Sequence, residues 1–319
     1  MHNVIVVGDA NVDIIVPYPR FLNPERTLVD YPNPEITGGG TAANTAVALS
    51  KLGINTSFIG TVGEDPYGKY IIKDFEENGV DAEGLISESE LNTVGVFAFI
   101  DEFGERYLWG WPRVNQSFKE LDINKVSMEK IRSAEWIHSS GMCLAYDTSA
   151  RSTILEIFKE AYMAGVPTSF DLNLRVDNGV LDVEYERAVR SIIKYTTYLL
   201  GSGTDEFLWL GTDRDWKKNA KSFVTEERTV IVRNGAEGSY GFTIDEQVAV
   251  PAYKVSVEDT VGAGDVYNAG FIAAKLAGSN LKECLIAGNG VSGYTVTKKG
   301  ARSSPNRTEL IDFIREHKY

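Results

Sequence analysis

Asp259-Thr-Val-Gly-Ala-Gly-Asp265, continued by Val-Tyr-Asn-Ala-Gly-Phe271, reads as a small-residue turn running into a helix that begins near Ala263. A β-rich stretch, residues 248–257, leads into it. Successive backbone N–H groups at such a helix start form an anion-binding concavity, and glycine lets a phosphate approach closely. Asp265 in that first turn repels an anion unless it has a chemical task. A carboxylate there can accept the proton of an attacking hydroxyl, the usual base role in phosphoryl transfer to alcohols. An isolated Asp at a helix start would do no more than complement the macrodipole. The complete Gly-Ala-Gly-Asp context favours the base.

Working outward, the 30 glycines cluster at turns and form no repeat. β-branched runs at 4–7, 56–62, 94–100, 168–171, 198–200 and 230–232 alternate with helical spacing at 42–52, 67–78, 152–164, 184–193 and 263–277. That alternation predicts an α/β fold with a mostly parallel sheet. Gly53, Gly79 and Gly165 stand where left-handed helix caps belong. Residues 92–112 break the rhythm and read as a hairpin, Val94–Ile100 and Glu105–Trp111, around the acidic turn Asp101-Glu-Phe-Gly104. Its aromatics Phe97, Phe99, Tyr107, Trp109 and Trp111 alternate, as the packing of a small sheet also requires. Residues 11–16 and 27–36 are candidates for further strands of that sheet. The expectation is one large α/β layer carrying a β appendage inserted early in the chain.

Composition narrows the function. With 32 Lys+Arg against 45 Asp+Glu the net charge is −13, which argues against nucleic acid and against an anionic membrane surface as partners. Two cysteines and three dispersed histidines give neither a disulfide framework nor a thiolate or histidine metal centre. The N-terminus lacks the pattern of a signal peptide and no apolar run approaches a membrane span, so the expectation is a cytoplasmic protein.

A second glycine run, Thr37-Gly-Gly-Gly-Thr-Ala-Ala-Asn44, opens the helix at 42–52. Glycines let backbone crowd a ligand, and the Asn44 amide offers donors and an acceptor, which suits hydroxyl groups. Tight strand-to-helix packing alone would also use such glycines. Asp171-Leu-Asn173-Leu-Arg175 follows a strand and so falls at its carboxyl end, where open α/β sheets bind ligands. Arg175 could meet the transferring phosphoryl group or a substrate anion, or close a surface salt bridge. Gly63-Glu-Asp-Pro-Tyr-Gly68-Lys69-Tyr70 imitates a P-loop, but Tyr70 replaces the hydroxyl that ligates magnesium and Glu64-Asp65 would repel phosphates. No Gly-x-Gly-x-x-Gly follows the first strand, which weakens a dinucleotide-binding dehydrogenase.

Taken together, the two glycine segments resemble the paired signatures of the PfkB (ribokinase-like) carbohydrate kinases, and the likeness spans nearly the whole chain. The resemblance implies a three-layer α/β/α fold with a mostly parallel central sheet and a small inserted β-sheet lid. The main body would comprise residues 1–11, 41–92 and 116–319, and the lid about 12–40 and 93–115. It implies sugar contacts from Asn11, Asp13, Gly39, Gly40 and Asn44, an anion hole at Gly262, Ala263 and Gly264, Asp265 as base, and Arg175 as helper. ATP would meet Arg233, Gly235, Gly238, Gly264 and Asn289; Glu206 would organise Mg2+ through water; a monovalent cation such as K+ would sit beside Asp259. Three positions depart from the family pattern: Gly203 where an Asn is expected three residues before Glu206, Arg233 where Thr is common, and Thr41 where ribose-specific members often carry Lys. The implied activity is ATP-dependent phosphorylation of a hydroxyl on a pentose, ketohexose or sugar acid. A nucleoside kinase of the same fold and a non-catalytic sugar or nucleotide sensor are the alternatives. A homodimer through the lid sheet is a further implication.

Overall fold

Asn3–Val7 carries four consecutive apolar residues, the composition of a strand covered on both faces. The computed structural model describes residues 3–17, 33–100, 106–110 and 114–317. In it this segment is β1, an interior strand of the larger of two sheets. Next come β2 (Asn11–Pro17) and β3 (Glu35–Gly39) of the smaller sheet, β4 (Asn55–Gly63) and β5 (Asp81–Glu88) of the larger, and β6 (Gly95–Ile100) and β7 (Arg106–Gly110) of the smaller. The larger sheet is completed by β8 (Trp136–Ser140), β9 (Thr168–Asp171), β10 (Tyr198–Ser202), β11 (Thr229–Arg233), β12 (Ser239–Phe242) and β13 (Gln247–Val250).

Among the described residues the larger sheet has nine strands in the order β13-β12-β11-β10-β9-β8-β1-β4-β5. From β11 to β5 neighbouring strands run parallel, and β12 and β13 close one end as an antiparallel pair. The helices are α1 (Thr41–Lys51), α2 (Pro66–Glu77), α3 (Met128–Ser133), α4 (Ser149–Met163), α5 (Val183–Ile193), α6 (Leu208–Leu210), α7 (Trp216–Lys221), α8 (Ala263–Leu276), α9 (Leu281–Thr295) and α10 (Arg307–Glu316). They cover both faces. Val4 and Val6 join the core formed with α1, α8 and α9, while Ile5 and Val7 join the core formed with α4 and α5. Alternation along a parallel strand thus feeds two cores, and the result is the expected three-layer arrangement.

The smaller sheet runs β3-β2-β6-β7. The expected hairpin is present as β6 and β7, with Phe97 opposite Trp109 and Phe99 opposite Tyr107. Its turn at 101–105, Trp111, and residues 27–32 of the second expected strand lie outside the described residues. Three strands escape the sequence reading. β5 is polar because it is the last strand of the sheet, β8 reads Trp-Ile-His-Ser-Ser, and β12 is short and glycine-containing.

Candidate active site

The turn before α8 bends because Gly262 adopts φ 72°, a left-handed conformation that glycine alone takes cheaply. A Cβ at Gly262 would also lie 2.3 Å from that of Ala301. Helix geometry leaves the first amides of α8 without intrahelical partners. The N–H of Ala263 bonds to the Thr260 carbonyl at 3.2 Å, whereas the amides of Gly264 and Asp265 have no hydrogen-bond partner among the described residues. Asp265 is buried on the same turn and accepts from Asn44 Nδ2 at 2.8 Å; Thr45 Oγ1 donates to its main-chain carbonyl at 2.9 Å. Burial pushes the Asp265 carboxyl well above the usual carboxylate range. The Asn44 bond and Arg233 pull it down, and Asp171 and Asp9 push it further up.

Asn44 reaches that position from the start of α1. Gly40, at φ 101°, caps α1 and would strike the Asp9 carbonyl at 2.6 Å if it carried a Cβ. With no side chain at the cap, the Asp9 carboxylate takes over, accepting from the amides of Thr41 at 2.9 Å and Ala42 at 3.2 Å. Burial raises the Asp9 pKa against the lowering effect of those two amides. The Asn44 Oδ1 accepts from Arg302 Nη1 at 2.7 Å, which leaves one N–H and one lone pair of its amide for a ligand. On β2, Asn11 Nδ2 donates to Asp13 Oδ1 at 3.0 Å. Gly39 pairs with Asn11 across β2 and β3, and a Cβ there would lie 2.7 Å from the Asp13 carboxylate. Asn11, Asp13 and Gly39 therefore form one cluster, joined through Gly40 to Asn44, Asp265 and Gly262.

Arg233, at the carboxyl end of β11, is largely buried behind the turn. Its guanidinium donates to Asp171 at 2.6 and 2.9 Å, to Asn268 Oδ1 at 2.9 Å and to the Gly264 carbonyl at 2.8 Å. Asn268 Nδ2 also donates to Asp171, at 2.7 Å. Burial disfavours the Arg233 cation, but Asp171, Glu206 and Asp265 outweigh it and raise its pKa. Glu206 lies 3.6 Å from the same guanidinium and accepts from the amides of Leu174, at 2.8 Å, and Ser202. Burial, then Asp171, pushes its carboxyl to about 7. Gly203 opens the widened helical turn holding Glu206, and a Cβ there would lie 2.9 Å from the Trp216 indole. Trp216 occupies the direction that the family's Asn side chain would take. Arg175 is exposed and donates to Asn173 Oδ1, and its charge reaches Asp9.

Beside the α8 turn opens a cavity of about 900 Å³, lined by Ala263, Thr260, Gly235, Asn289, Tyr253 and Val257 among others. Of the residues expected to meet a nucleotide, Gly235 and Asn289 border this space, and Arg233, Gly238 and Gly264 do not, although Ala263, next to Gly264, does. The Asn289 amide donates to the carbonyls of Val250 and Pro251 at 3.1 Å each, so it braces the cavity wall. A Cβ on Gly238, at φ 98°, would meet the Val250 carbonyl at 2.1 Å, which makes its role one of chain crossing. Asp259 accepts from the amides of Val261 at 2.9 Å and Gly300 at 2.8 Å, tying the approach to α8 to the C-terminal segment. The P-loop imitation is a helix cap: Asp65 accepts from Tyr67 and Gly68 at the start of α2 and from the Thr93 amide.

A glycine turn with unengaged amides, a buried carboxylate beside it and a roomy cavity form the constellation that phosphoryl transfer to an alcohol requires. The model of the pfkB family of carbohydrate kinases matches residues 1–309. The chain belongs to that family. An ATP-dependent ribose-1-phosphate kinase of Halopiger xanaduensis is 31% identical over 284 residues, covering 88% of this chain and 87% of that one. A fructokinase of Vibrio alginolyticus is 29% identical, covering 98% and 99%. Among solved structures, the fructokinase of Xylella fastidiosa with bound ATP superposes at TM-score 0.84 with 21% identity, covering 98% of each chain. The ribokinase of Thermotoga maritima superposes at 0.78 with 26% identity, covering 99% and 100%. This pfkB kinase thus carries out ATP-dependent phosphorylation of a sugar. No helix among its described residues is long and apolar enough to cross a membrane.

Several residues that build the pfkB site went unread in the sequence. Thr45 directly follows the second glycine run, whereas Asp9 lies in the turn between β1 and β2, and its partners at the start of α1 are far away in sequence. Asn268 lies one helical turn after Gly264 on α8. Arg302 and its partner Asp74 gave no signal, because they meet from positions 228 residues apart.

Proposed function

We propose that this kinase transfers the γ-phosphoryl group of ATP to a hydroxyl of a small sugar, a pentose, ketohexose or sugar acid, with Asp265 as the base. One observation carries this reading. The two glycine segments, far apart in sequence, meet in the 2.8 Å hydrogen bond from Asn44 to the Asp265 carboxylate. The residue suited to sugar hydroxyls and the residue suited to deprotonating one therefore share a site.

On this reading the sugar lies against Asn11, Asp13, Gly39, Gly40 and Asn44, with one hydroxyl directed at Asp265. The cavity beside α8 takes the nucleotide, its apolar wall of Tyr253, Val255, Val257 and Val296 facing the base. The Gly264 and Asp265 amides and the positive end of α8 meet the phosphates. Arg233 fixes that turn through the Gly264 carbonyl and adds positive charge from behind. Asp265 takes the proton as the hydroxyl attacks in line, and its raised affinity for protons suits that task. Arg175, exposed four residues beyond the carboxyl end of β9, would supply a further cation.

Magnesium in such enzymes keeps several waters and rides on nucleotide phosphates. Among the described residues no group of three or more His, Cys, Asp or Glu is placed to hold a metal ion. Glu206 would hold the ion through water, and the ion would supply charge neutralisation at the phosphates. The smaller sheet, within residues 12–40 and 93–115, would close over the sugar and exclude water.

The test is ADP release from ATP with a panel of pentoses, ketohexoses, sugar acids, sugar phosphates and nucleosides. Turnover is expected with a sugar or sugar acid. Turnover confined to nucleosides, or ligand-induced thermal stabilisation with no turnover on any acceptor, would overturn the proposal.

A further inference from the structure

Arg302 lies on the single turn Ala301–Ser303 near the C-terminus, yet its side chain runs back into the start of α1. Its Nε donates to Asp74 Oδ2 of α2 at 3.0 Å, and its Nη1 donates to Asn44 Oδ1 at 2.7 Å. Both partners of that ion pair are largely buried. Lys51 of α1 donates to the Arg302 carbonyl and secures the backbone of the turn. The pair also explains a glycine. A Cβ on Gly38 would lie 2.3 Å from Asp74 Oδ2 and 2.6 Å from Arg302 Nη2, so the glycine run gives up a side chain to make room for it. Tyr70 Oη donates to the Ile36 carbonyl at 2.8 Å and closes the same corner against β3.

The chemistry of the three groups in line admits one arrangement. A guanidinium can only donate, and an ionised carboxylate can only accept. An Asn amide placed between them must turn its oxygen to the arginine and its nitrogen to the aspartate. Without Arg302 the amide is free to rotate by half a turn. It would then present Oδ1 to Asp265, a partner that only a protonated carboxyl can satisfy. We propose that Arg302 is a positioning residue for phosphoryl transfer, acting through Asn44 to keep an N–H donor on Asp265 and so to keep Asp265 ionised. This rests on the base role proposed above for Asp265.

The other charged groups around Asp265 do not substitute for this bond. Asp171 and Asp9 raise its proton affinity and Arg233 lowers it, and none of the three touches the Asn44 amide. Around Arg302, Asp74 is the countercharge and Lys51 the nearby like charge. Asp74 anchors the guanidinium and leaves Nη1 for Asn44.

The experiment is a titration that needs no turnover. In protein labelled with 13C at aspartate side-chain carboxyls, the Asp265 resonance is assigned by its absence in Asp265→Asn and followed against pH, without nucleotide or acceptor. Arg302→Met is expected to move the Asp265 titration to higher pH, and Arg302→Lys, which keeps a cation and a donor, to restore it towards wild type. In the Asn44→Ala background the same Arg302→Met change should produce no further shift. Coincident titrations of wild type and Arg302→Met, or an equal shift in both backgrounds, would overturn the proposal. Equal shifts would assign the effect to the bare charge. Should Arg302→Met melt below the working temperature, Arg302→Gln replaces it with the same expectation at smaller amplitude, and no shift counts against it. In turnover, Arg302→Met should lower kcat about ten- to hundredfold, as misplacing a reacting group does, with the KM for ATP unmoved. Failure of the kinase reading shows separately, as wild type inactive on every acceptor.

Discussion

Arg233 brings a positive charge to a place that water barely reaches, where it meets a carboxylate, an amide oxygen and a backbone carbonyl. Removing one member of a buried, hydrogen-bonded pair leaves the other charged and unpaired, which costs roughly 3–5 kcal/mol. Arg233→Met should therefore lower the unfolding free energy by up to about that amount in urea denaturation at neutral pH, because Asp171 would remain fully buried with no countercharge and only the Asn268 amide as partner. A loss below about 1 kcal/mol would show that Asp171 finds another partner. Both residues were legible singly: Asp171 heads the Asp-x-Asn-x-Arg stretch and Arg233 departs from the family pattern. Their pairing was not. It arises because β9 and β11 flank β10, with Asp171 beside Leu200 and Arg233 beside Ser202, and strand order is not written in local sequence. The same limit hid Arg302, whose partners come from α1 and α2.

At the scale of elements, legibility followed periodicity. β1 and α8 read directly because an apolar run and a small-residue helix start have few alternatives. β8 was missed because its His138, Ser139 and Ser140 look like surface residues, whereas all are buried in an interior strand. His138 Nδ1 pairs with Ser169 Oγ at 2.8 Å, and its Nε2 has no hydrogen-bond partner among the described residues. Burial lowers the His138 pKa to about 4. In the unfolded chain the imidazole takes a proton near pH 6.5, and in the native strand it resists until about pH 4. Between those values the unfolded state binds more protons, so stability falls as pH falls, by roughly 3 kcal/mol in total. His138→Asn removes this contribution. Urea unfolding at pH 7 and at pH 4.5 should show a smaller acid loss in the variant than in wild type; equal losses would contradict the buried, neutral imidazole. The cap of α1 teaches a related lesson. Gly40 contributes no side chain, and Asp9, 31 positions earlier in the chain, supplies the missing carboxylate.

Over the whole molecule, a charge of −13 is compatible with the proposed nucleotide site if the positive character that site needs is local. On the proposed reading it would come from the α8 amides, from the largely buried Arg233 behind them and from the exposed Arg175. The fold class was legible from strand–helix alternation, and the two-faced core follows from alternate residues of the same strands. What sequence spacing could not supply was the closure of the site. Residues near 9, 44, 171, 233, 265 and 302 converge only when the carboxyl edge of the large sheet brings α1 and α8 together. The base role proposed for Asp265 rests on this convergence. The most direct measurement compares Asp265→Asn with wild type for ATP affinity by calorimetry and for sugar-dependent ADP release. The expected variant is folded, with ATP affinity within about threefold of wild type and turnover reduced by two to four orders of magnitude, the usual contribution of a positioned base. Turnover within about tenfold of wild type would contradict it.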